Sequence, residues 1–554
     1  MKSKILVVLI LVLISDHGFS QEMNFTWSKT AGTSGNNIGK NIIYDNAGYL
    51  YVAGEFYGDF SIGDSLITGF ANRNIFIIKL DIDGNLIWSK RLGSNVPGNI
   101  YNFLGQICFD ANMNIVCTGT FYDALILNDT TIHSNGGTDI FILRIKNTGE
   151  ILNVSSDGGI GDENAHSICV DKNDNIYICG GFTGIGSFGS QTLTSSGYWQ
   201  YTPWGDSVYI HHETGFFLKY DNQLSCLFAK QICNNRSVLY SIISDTANNI
   251  YTTGYFSSFD NLTDTIANHI GNFLVFKYNQ NGNIINLIQE GSNNNHIRAK
   301  ALAIDNENNL LVTGNIQCSG CIFGDSLLPN SSSDAFLVKY DGSGNMRWIN
   351  LIGQYHGDYD GNENSGNSII IDKYNNIILS GYFDGIDLNG LIIVGNNSSI
   401  DFLVMKFNKN GSITNIGKYG FSSWDALESV NIDNSNNIYV TGYTYLGATS
   451  TSYPSFVFIA KIDSVPALGI DNIALFDYIR IYPNPSQGSF MIDLPADINQ
   501  PSIISVSNIE GKVLYIAGIS KEHNEIILKE YKPGLYIINI QVGNMTYKKK
   551  LLIH

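Results

Sequence analysis

The sequence is poor in charged residues, and beyond its N-terminus it has neither a long apolar run nor a common catalytic signature. Charged residues make up 15% of the 554 positions. There is no G-x-S-x-G elbow, H-E-x-x-H pair, P-loop or G-x-G-x-x-G in a β-α-β setting, so the best-marked hydrolases, metalloproteases and nucleotide-binding enzymes have no support. No apolar run after residue 20 reaches the about 18 residues of a membrane-spanning helix.

The chain is rich in glycine and in aromatic residues. It has 56 Gly and 12% aromatic residues, which favours an all-β protein with many tight turns over a disordered chain. Its net charge is −17; residues 1–20 contribute +1 and residues 478–554 contribute +2, which leaves −20 for residues 21–477. Because such a surface repels nucleic acid and anionic lipid, we expect neither as a partner.

Residues 1–20 predict a secretory signal peptide. Two lysines precede an apolar run from Ile5 to Ile14, and small residues follow at Gly18 and Ser20. We place the cleavage after Ser20. The mature chain is therefore expected to be exported and soluble, without a transmembrane segment.

One sequence pattern recurs seven times. In Ser429–Tyr443, two alternating apolar–polar stretches flank an Asp-Asn-Ser-Asn-Asn turn, which predicts a β-hairpin. The Asp recurs at Asp45, Asp110, Asp171, Asp245, Asp305, Asp372 and Asp433, and a Gly follows nine residues later at Gly54, Gly119, Gly180, Gly254, Gly314, Gly381 and Gly442. Six copies have Asn four residues after the Asp, and the first has Tyr49 there.

Each copy continues with a second half that predicts two more strands. A variable segment leads to an apolar stretch that ends in a basic residue, at Lys79, Arg144, Lys219, Lys277, Lys339, Lys406 and Lys461. A Gly-Asn turn and a fourth strand usually follow, as at Gly84–Lys90. Four strands per repeat, each sheet burying its faces against its neighbours, is the arrangement of a β-propeller.

The seventh repeat lacks a fourth strand, since its pattern stops after Asp463. The sequence Phe25–Lys29 matches the fourth strand of the first repeat, Ile87–Lys90, and includes Trp27 where that strand has a tryptophan. We therefore predict a seven-bladed β-propeller over residues 21–463, closed by an N-terminal strand that leaves no exposed sheet edge. The repeat resembles the SBBP-type β-propeller repeat of secreted bacterial proteins, which implies the fold and no agreed activity.

Residues 464–477 read as a linker, and residues 478–554 predict a small immunoglobulin-like β-sandwich. The landmarks are Pro483, Asn484, Pro485, Gly488, Pro533, Gly534, Tyr536, Lys548, Lys549 and Lys550. This stretch resembles the type A C-terminal sorting domain of the type IX secretion system of Bacteroidetes. The resemblance implies Sec export, recognition by the type IX machinery, and removal of the tail with release or surface attachment. A plain accessory sandwich is the alternative.

Two loops and one cysteine pair are candidate sites. The repeated Asp turns resemble calcium loops, but Asp can cap its own turn and Asn tolerates the left-handed conformation, so we interpret them as turns. An oxygen-rich loop with Asp358, Asp360, Asn362 and Glu363 is a candidate calcium site, with a solvated acidic loop as the favoured alternative. Otherwise no cofactor is expected. Cys318 and Cys321 are expected to form a small loop disulfide rather than a redox site.

Four other cysteines flank hairpin turns, as Cys108 with Cys117 and Cys169 with Cys179. Pairing across the strands and buried free thiols are both open for them.

The third repeat has the longest insertion, and it contains Tyr198, Trp199, Tyr201 and Trp204, followed by His211-His212-Glu213. Aromatic side chains on a loop fit sugar rings or a partner surface, and the alternative that we favour is a small core of the loop itself. A metal site at the His-His-Glu segment is disfavoured, because adjacent strand residues point to opposite faces.

These observations favour a secreted or surface-displayed binding or scaffold protein without catalytic activity, whose ligand is a glycan or a surface protein. The alternatives are a structural matrix component and a propeller enzyme, such as a polysaccharide lyase or hydrolase. Asp, Glu or His side chains that converge at the mouth of the central channel would favour the enzyme, and a channel of Ser, Thr and apolar groups would count against it.

The sorting resemblance predicts that the external protein lacks its C-terminal domain. The intact mass of the secreted form should fall short of the chain from Gln21 to His554 by about 75–80 residues, the size of a small domain. An external form that still ends at His554 would contradict this prediction.

Overall fold

A computed structural model describes most of the chain. The described residues are 25–33, 35–70, 73–94, 102–127, 130–201, 207–233, 236–257, 272–291, 296–353, 364–388, 391–394, 400–420, 424–445, 454–462, 480–482, 486, 488–493, 502–508, 512–519, 523–528, 532, 534–542 and 545–553. The chain divides into two compact units, one of Met23–Pro466 and one that includes Ala467–His554. Within the described residues every regular element is a β-strand.

The strands of the larger unit follow the repeats of the sequence, with short hairpins inserted in some of them. The strands up to the third repeat are β1 Phe25–Ala31, β2 Ile38–Tyr44, β3 Tyr49–Tyr57, β4 Phe60–Ile62, β5 Ser65–Ile67, β6 Arg73–Asp81, β7 Leu86–Leu92, β8 Phe103–Phe109, β9 Ile115–Leu127, β10 Thr130–Ile145, β11 Ile151–Asp157, β12 Asp162–Val170, β13 Ile176–Thr183, β14 Ile185–Phe188, β15 Gln191–Thr194, β16 Gly197–Tyr201, β17 Ser207–His211, β18 Thr214–Tyr220 and β19 Cys226–Gln231. The strands of the later repeats are β20 Ser237–Ser244, β21 Ile250–Phe256, β22 Phe273–Tyr278, β23 Ile284–Glu290, β24 His296–Ile304, β25 Leu310–Cys318, β26 Ile322–Phe323, β27 Ser326–Leu327, β28 Ser331–Tyr340, β29 Met346–Ile352, β30 Ser365–Ile371, β31 Ile377–Phe383, β32 Gly385–Leu388, β33 Leu391–Val394, β34 Asp401–Phe407, β35 Ile413–Tyr419, β36 Asp425–Ile432, β37 Ile438–Tyr445 and β38 Ser455–Ile462.

The antiparallel sheets follow the repeats. They are β2-β3-β6-β7, β8-β9-β10-β11, β12-β13-β18-β19, β20-β21-β22-β23, β24-β25-β28-β29, β30-β31-β34-β35 and β36-β37-β38-β1. The first strand of each repeat contacts the first strand of the next, and β36 contacts β2, so the first strands surround a central channel. The all-β propeller class is thereby confirmed. Because a pairing of Tyr255 with Arg298 joins the fourth and fifth sheets into one of eight strands, the count of seven separate blades stays a prediction.

The hydrophobic core is divided among the spaces between neighbouring sheets. One cluster packs Ile75 and Ile77 of the first repeat against Leu104 and Phe141 of the second. Six similar clusters follow around the ring, and one of them joins Tyr439 of the last repeat to the first. Each sheet is therefore apolar on both faces, which explains the nearly continuous apolar stretches of the inner strands.

Each repeated Asp caps the turn of its own hairpin, as the sequence predicted. Oδ1 of Asp305 accepts the backbone N–H of Glu307 at 2.9 Å and of Asn309 at 2.8 Å, and the other six Asp residues do the same. The left-handed position is the third after the Asp, as at Asn308 with φ 60°. The Asn at the fourth position instead donates its side-chain amide to the Asp carboxylate, at 2.8 Å for Asn309.

The second carboxylate oxygen has one of two further partners. In four repeats a tyrosine six residues after the Asp donates its hydroxyl to that oxygen, at 3.1–3.3 Å, from Tyr51, Tyr177, Tyr251 and Tyr439. The basic residue of the third strand then lies over the tyrosine ring. In the other three repeats that position is apolar, and the basic residue pairs with the Asp directly, as Arg144–Asp110, Lys339–Asp305 and Lys406–Asp372 at 2.8–3.3 Å.

The repeated Gly lies opposite a β-bulge in the first strand. In the first repeat Gly39 pairs with Gly54 and Asn41 pairs with Ala53, so Lys40 is the extra residue of the bulge. The same irregularity recurs in all seven repeats. A Cβ at Gly54 would lie 2.0 Å from the carbonyl oxygen of Ile38, and the six equivalent glycines meet the same obstacle at 1.8–2.2 Å. The bulge therefore requires glycine on the strand beside it.

The N-terminal strand completes the seventh sheet, as predicted. β1 pairs antiparallel with β38. The Trp27 indole donates to the carbonyl oxygen of Ile82 at 2.9 Å in the next repeat, just as Trp88 donates to Asn147 at 3.0 Å. Trp27 thus contacts the first repeat in the way that a fourth-strand tryptophan contacts its following neighbour.

The smaller unit is a β-sandwich. Its strands are β39 Arg480–Tyr482, β40 Ser489–Asp493, β41 Ser502–Asn508, β42 Val513–Ile519, β43 His523–Ile527, β44 Gly534–Val542 and β45 Met545–Ile553. They form the antiparallel sheets β39-β40-β43 and β42-β41-β44-β45. Phe490 and Ile492 of the first sheet share one apolar core with Ile504 and Ile538 of the second.

Removal of the Trp27 side chain should weaken ring closure. Because Trp27 is half-buried, we expect Trp27→Ala to cost roughly 1–3 kcal/mol of folding free energy, less than the about 3–5 kcal/mol of a fully buried tryptophan. Thermal unfolding and limited proteolysis of the N-terminal strand measure the effect. Trp424→Ala, at a side chain that is 60% exposed, is the matched control. Equal melting temperatures and equal protease resistance of both variants would contradict the closure role.

Candidate functional site

The seven bulges place one residue per repeat at equivalent positions on the strands that surround the channel. These residues are Lys40, Gly105, His166, Tyr240, Lys300, Asn367 and Glu428. Each is half-buried. The residue after each bulge is directed to the neighbouring repeat instead, in several of the copies. Asn41 accepts the backbone N–H of Ile107 at 3.1 Å, and Ser429 accepts that of Ile42 at 3.2 Å. We call the seven bulge positions the channel ring.

Members of the channel ring contact one another across the repeats. The rings of His166 and Tyr240 are 5.4 Å apart, and Lys300 Nζ donates to Asn367 Oδ1 at 2.9 Å. The remaining charges also interact, since Glu428 favours the protonated form of Lys40. The bulge residues therefore interact in three pairs, His166 with Tyr240, Lys300 with Asn367 and Glu428 with Lys40.

Gly105 leaves a gap in this set. A Cβ at Gly105 would lie 2.6 Å from the carbonyl oxygen of Ala165, so the close approach of the third repeat requires glycine there. Without a side chain between them, Lys40 acts electrostatically on His166 two repeats away. The second repeat therefore contributes no side chain to the channel ring.

His166 is held in its neutral form. Removal of the imidazole from bulk water, and secondly the positive charge of Lys40, lower the pKa of His166 to about 4. At neutral pH the ring has one nitrogen with a free electron pair, and Tyr240 beside it keeps its hydroxyl proton because burial raises the pKa of that phenol. The pair has the components of general base and general acid chemistry.

Further charged and aromatic side chains lie on the strands of the channel ring and next to it. Two cations lie over tyrosines: Arg298 is 5.9 Å from the centre of the Tyr255 ring, and Lys300 is 5.4 Å from that of Tyr382. Glu55, in contrast, is already engaged, because it pairs with Arg73 at 3.1 Å and accepts a backbone N–H of the second repeat.

The insertion of the third repeat forms a hairpin of β16 and β17, here called the aromatic hairpin. Trp199 pairs with Tyr209 across its strands, and their rings are 5.2 Å apart. Trp199 is 64% exposed and Tyr201 is 80% exposed, and both lie on the same face of β16. Tyr198, on the other face, packs against His212 at 5.2 Å. The rings therefore cover one another only in part and leave an open aromatic face.

The base of the aromatic hairpin contacts one of the first strands that surround the channel. His212 donates its backbone N–H to Ser196 at the base of the hairpin, and the next residue, Glu213, accepts the backbone N–H of Ser237 at 2.9 Å. Ser237 begins the first strand of the fourth repeat, which contains Tyr240. Burial raises the pKa of Glu213, and Arg236 opposes that shift. The base of the hairpin is thus hydrogen-bonded to the first strand of the fourth repeat.

Several predicted site residues lie outside the described residues. These are Trp204, the candidate calcium ligands Asp358, Asp360, Asn362 and Glu363, the prolines Pro483, Pro485 and Pro533, and Asn484. Of the tail landmarks, Gly488 and Gly534 adopt positive φ values, and buried Tyr536 donates to Lys532 at 2.7 Å. Lys548, Lys549 and Lys550 belong to β45. Calcium binding and the roles of the tail residues stay predictions.

The cysteines take both of the forms considered. Cys318 and Cys321 are joined by a disulfide, with Cα atoms 5.8 Å apart. Cys117 pairs in register with Ile107, and Cys179 pairs with Ser167, so the predicted partners Cys108 and Cys169 are not opposite them. Those four are free thiols, and burial raises their pKa values.

No group of three or more His, Cys, Asp or Glu side chains suited to a metal ion occurs among the described residues. His211 contacts Ser195 through Nδ1 at 3.2 Å while His212 stacks on Tyr198, so the adjacent histidines do diverge. In the described part of the chain there is also no helix of the length and apolarity that a membrane crossing requires.

The channel ring was missed in the sequence. Its signal was nonetheless present, because every ring residue lies five residues before the repeated Asp, at a position where the seven copies disagree. The pattern was interpreted as regular alternation, and a bulge interrupts alternation at that point. A repeated Gly within a strand is the feature that indicates such a bulge.

Comparison with known proteins identifies the tail. Residues 480–554 match the family described as the secretion system C-terminal sorting domain. This domain interacts with the type IX secretion machinery, and the protein is exported to the cell surface or the extracellular space.

Other likenesses are remote. An uncharacterised WD repeat-containing protein of Acanthamoeba polyphaga mimivirus is 23% identical over 549 residues, which covers 80% of this chain; the chain spans only 38% of that relative. Among solved structures, an ulvan lyase is 10% identical, with a TM-score of 0.38 and coverage of 76% of this chain and 93% of the lyase. A gluconolactonase of Xanthomonas campestris is 10% identical, with a TM-score of 0.28 and coverage of 67% and 90%. These scores are low, so the fold assignment depends on the strand pairings of this chain.

The environment of His166 predicts an unusual titration. We expect its imidazole to stay neutral from pH 8 down to about 5 and to gain a proton near pH 4. Lys40→Met should raise this pKa, because it removes the positive charge of Lys40 and leaves the burial of the imidazole in place. NMR titration of the histidine ring protons measures both values, with Lys172→Met at an exposed turn as the control. A pKa of about 6.5, the ordinary value of histidine, in the unchanged protein would contradict the geometry.

Proposed function

We propose that this protein is an exported binding protein that holds a polysaccharide outside the cell on its aromatic hairpin. The observation that carries the proposal is the open face of Trp199 and Tyr201 on a paired hairpin whose base contacts the first strand of the fourth repeat. Flat aromatic rings suit the apolar faces of sugar rings. Two hydrogen-bonded strands hold these rings in place, so little conformational freedom is lost on binding. Export by the type IX system places this face where extracellular glycans are available.

A second candidate function is cleavage of a polysaccharide at the channel ring. It is favoured by one observation, the neutral His166 next to the protonated Tyr240 with Lys40 and Lys300 on the same ring. In an elimination, His166 would take the proton from the carbon next to a uronate carboxylate. The glycosidic C–O bond would then break as a C=C bond forms, and the leaving oxygen would take the proton of Tyr240. Hydrolysis by paired carboxylates has less support, since Glu55 is occupied by Arg73.

Affinity electrophoresis tests the binding function. Migration of the exported protein is compared in gels with and without soluble polysaccharides, both neutral and acidic. The double variant Trp199→Ala and Tyr201→Ala should bind at least about tenfold more weakly, because two central aromatic contacts contribute about 1–2 kcal/mol or more each. Tyr374→Ala is the matched control, since Tyr374 is 65% exposed at a turn of the sixth repeat. Unretarded migration in every gel, or equal retardation of the double variant, would reject the proposal.

The same samples separate binding from cleavage. An elimination produces an unsaturated uronate that absorbs ultraviolet light, and His166→Ala should abolish that signal while retardation in the gel persists. Steady retardation without any such product supports the binding function alone.

A further inference from the structure

We propose that Asp139 and Glu163 hold a calcium ion at the interface between the second and third repeats. This inference goes beyond the proposed function, since it does not depend on the binding of a polysaccharide. We call the two residues the acid pair.

The acid pair occupies two positions that recur at every interface between repeats. Asp139 lies on a third strand and Glu163 on the first strand of the next repeat, each two residues before the partner of a repeated Gly. The residues at these positions of the other six interfaces are Asn74 with Asn102, Thr214 with Ser237, Asn272 with Ile297, Asp334 with Asn364, Asp401 with Asp425 and Phe456 with Asn37. Because five of these six sets contain at most one acid, the fold by itself does not require two acids here.

The two carboxylates meet beside Gly158. An ideal Cβ at Gly158 would lie 2.4 Å from Oδ1 of Asp139 and 2.8 Å from Oε2 of Glu163. These two oxygens are therefore no further apart than the sum of the two distances. One calcium ion spans such a separation, because its bonds to oxygen are about 2.3–2.6 Å long.

Each carboxylate has one oxygen without a hydrogen-bond donor. Oδ2 of Asp139 accepts the backbone N–H of Asn135 at 3.0 Å, and Oε2 of Glu163 accepts that of Gly159 at 3.0 Å. Oδ1 of Asp139 and Oε1 of Glu163 have no hydrogen-bond partner within the described ranges, although both side chains are fully buried. A buried carboxylate oxygen without a partner is costly, and a cation bound by both residues would supply one.

The charged groups that act on the acid pair are themselves acids. Asp157 acts on Asp139, and Asp162 acts on Glu163. Among the residues that the structure describes, none of these four acids forms a salt bridge. Asp157 also accepts the hydroxyl of Tyr220 at 2.8 Å. The interface therefore concentrates negative charge without a protein cation to balance it.

Protons are the alternative to a metal ion at the acid pair. Burial raises the pKa of Glu163 from 4.5 to about 8 and that of Asp139 from 3.8 to about 6, and the neighbouring acids add to both shifts. The folded protein then binds more protons than the unfolded chain, so the acid pair lowers stability as the pH rises through this range. A bound calcium ion would replace those protons and remove that loss.

Calcium is the metal ion that the acid pair suits best. No third His, Cys, Asp or Glu of the described residues completes a metal-binding group, so backbone carbonyl oxygens and water would supply the remaining ligands. Calcium accepts such mixed shells of six to eight oxygens, whereas magnesium demands a near-ideal octahedron and keeps several waters. With two carboxylates we expect the affinity of extracellular calcium modules, a Kd of about 10⁻⁴–10⁻³ M.

Thermal unfolding of the exported protein tests the inference. At about pH 8, calcium at about 10 mM should raise the melting temperature by roughly 2–5 °C over a chelator-treated sample of equal ionic strength. At about pH 5 the gain should be smaller, because protons compete with calcium for the acid pair. Equal melting temperatures with and without calcium at the higher pH, or an equal gain at both pH values, would overturn the inference.

The double variant Asp139→Asn and Glu163→Gln should lose the calcium-dependent gain, and native mass spectrometry should show one calcium ion fewer per chain. Asparagine is compatible with the fold at the first position, since Asn74 occupies it in the first repeat. Glu163→Gln alone should also lose the ion, and it replaces the double variant if that chain folds poorly.

Asp334→Asn is the matched control, because Asp334 holds the position of Asp139 in the fifth repeat and the opposite position there is Asn364. This control should keep the full calcium-dependent gain. A gain that survives in both acid-pair variants would overturn the inference and place the ion elsewhere, such as on the acidic loop that contains Asp358. Binding of polysaccharide enters none of these measurements, so the proposed function stands or fails separately.

Discussion

The propeller depends on the hydrogen bonds of the aspartate in each first hairpin, which is buried in five repeats and half-buried in the other two. One carboxylate oxygen closes the turn. The other is bound by a tyrosine of the second strand or a cation of the third, and in six repeats an asparagine also binds the carboxylate. For Asp305, burial alone would raise the pKa, yet the hydrogen bonds from Lys339 and Asn309 outweigh it and lower the pKa. A charge inside a protein is tolerated only with such partners, so the Asp recurs with the basic residue in every repeat and with the Asn in six of the seven.

The same cation joins neighbouring repeats. Lys79, Lys219 and Lys339 each donate to a backbone carbonyl in the third turn of the following repeat, at 2.9–3.2 Å, and Arg144 does so at 2.7 Å. One side chain therefore links the inner hairpin of a sheet, through Asp or Tyr, to the outer turn of the next. Since these links run in one direction around the ring, a missing last strand would leave a gap, and Trp27 with β1 fills it.

The sequence allowed the repeated part of the fold to be predicted, because turn caps, apolar alternation and the missing fourth strand are local patterns. It did not allow the candidate site to be predicted. A bulge inverts the expected direction of one side chain, and whether Lys40, His166 or Lys300 reaches the channel depends on pairing with a distant strand. The aromatic hairpin could be predicted in part. The sequence indicates Trp199 and Tyr201 as candidates, but their exposure depends on which face of β16 is covered.

The Gly that lies nine residues after each Asp links the fold of the repeat to the candidate site. It is required because the bulge brings a carbonyl oxygen within about 2 Å of the space that a Cβ would occupy, and the bulge in turn directs one residue to the channel. The repeat thus keeps its backbone nearly constant while the residue at the bulge varies, and only Gly105 among the seven is held to glycine by a neighbouring backbone. The seven equivalent positions hold six kinds of residue: lysine twice, and glycine, histidine, tyrosine, asparagine and glutamate once each. A nearly symmetric backbone therefore presents an asymmetric set of side chains. Because the residue at the bulge can vary while the backbone stays nearly constant, these are the positions at which the proposed recognition of a ligand can change without a change of fold.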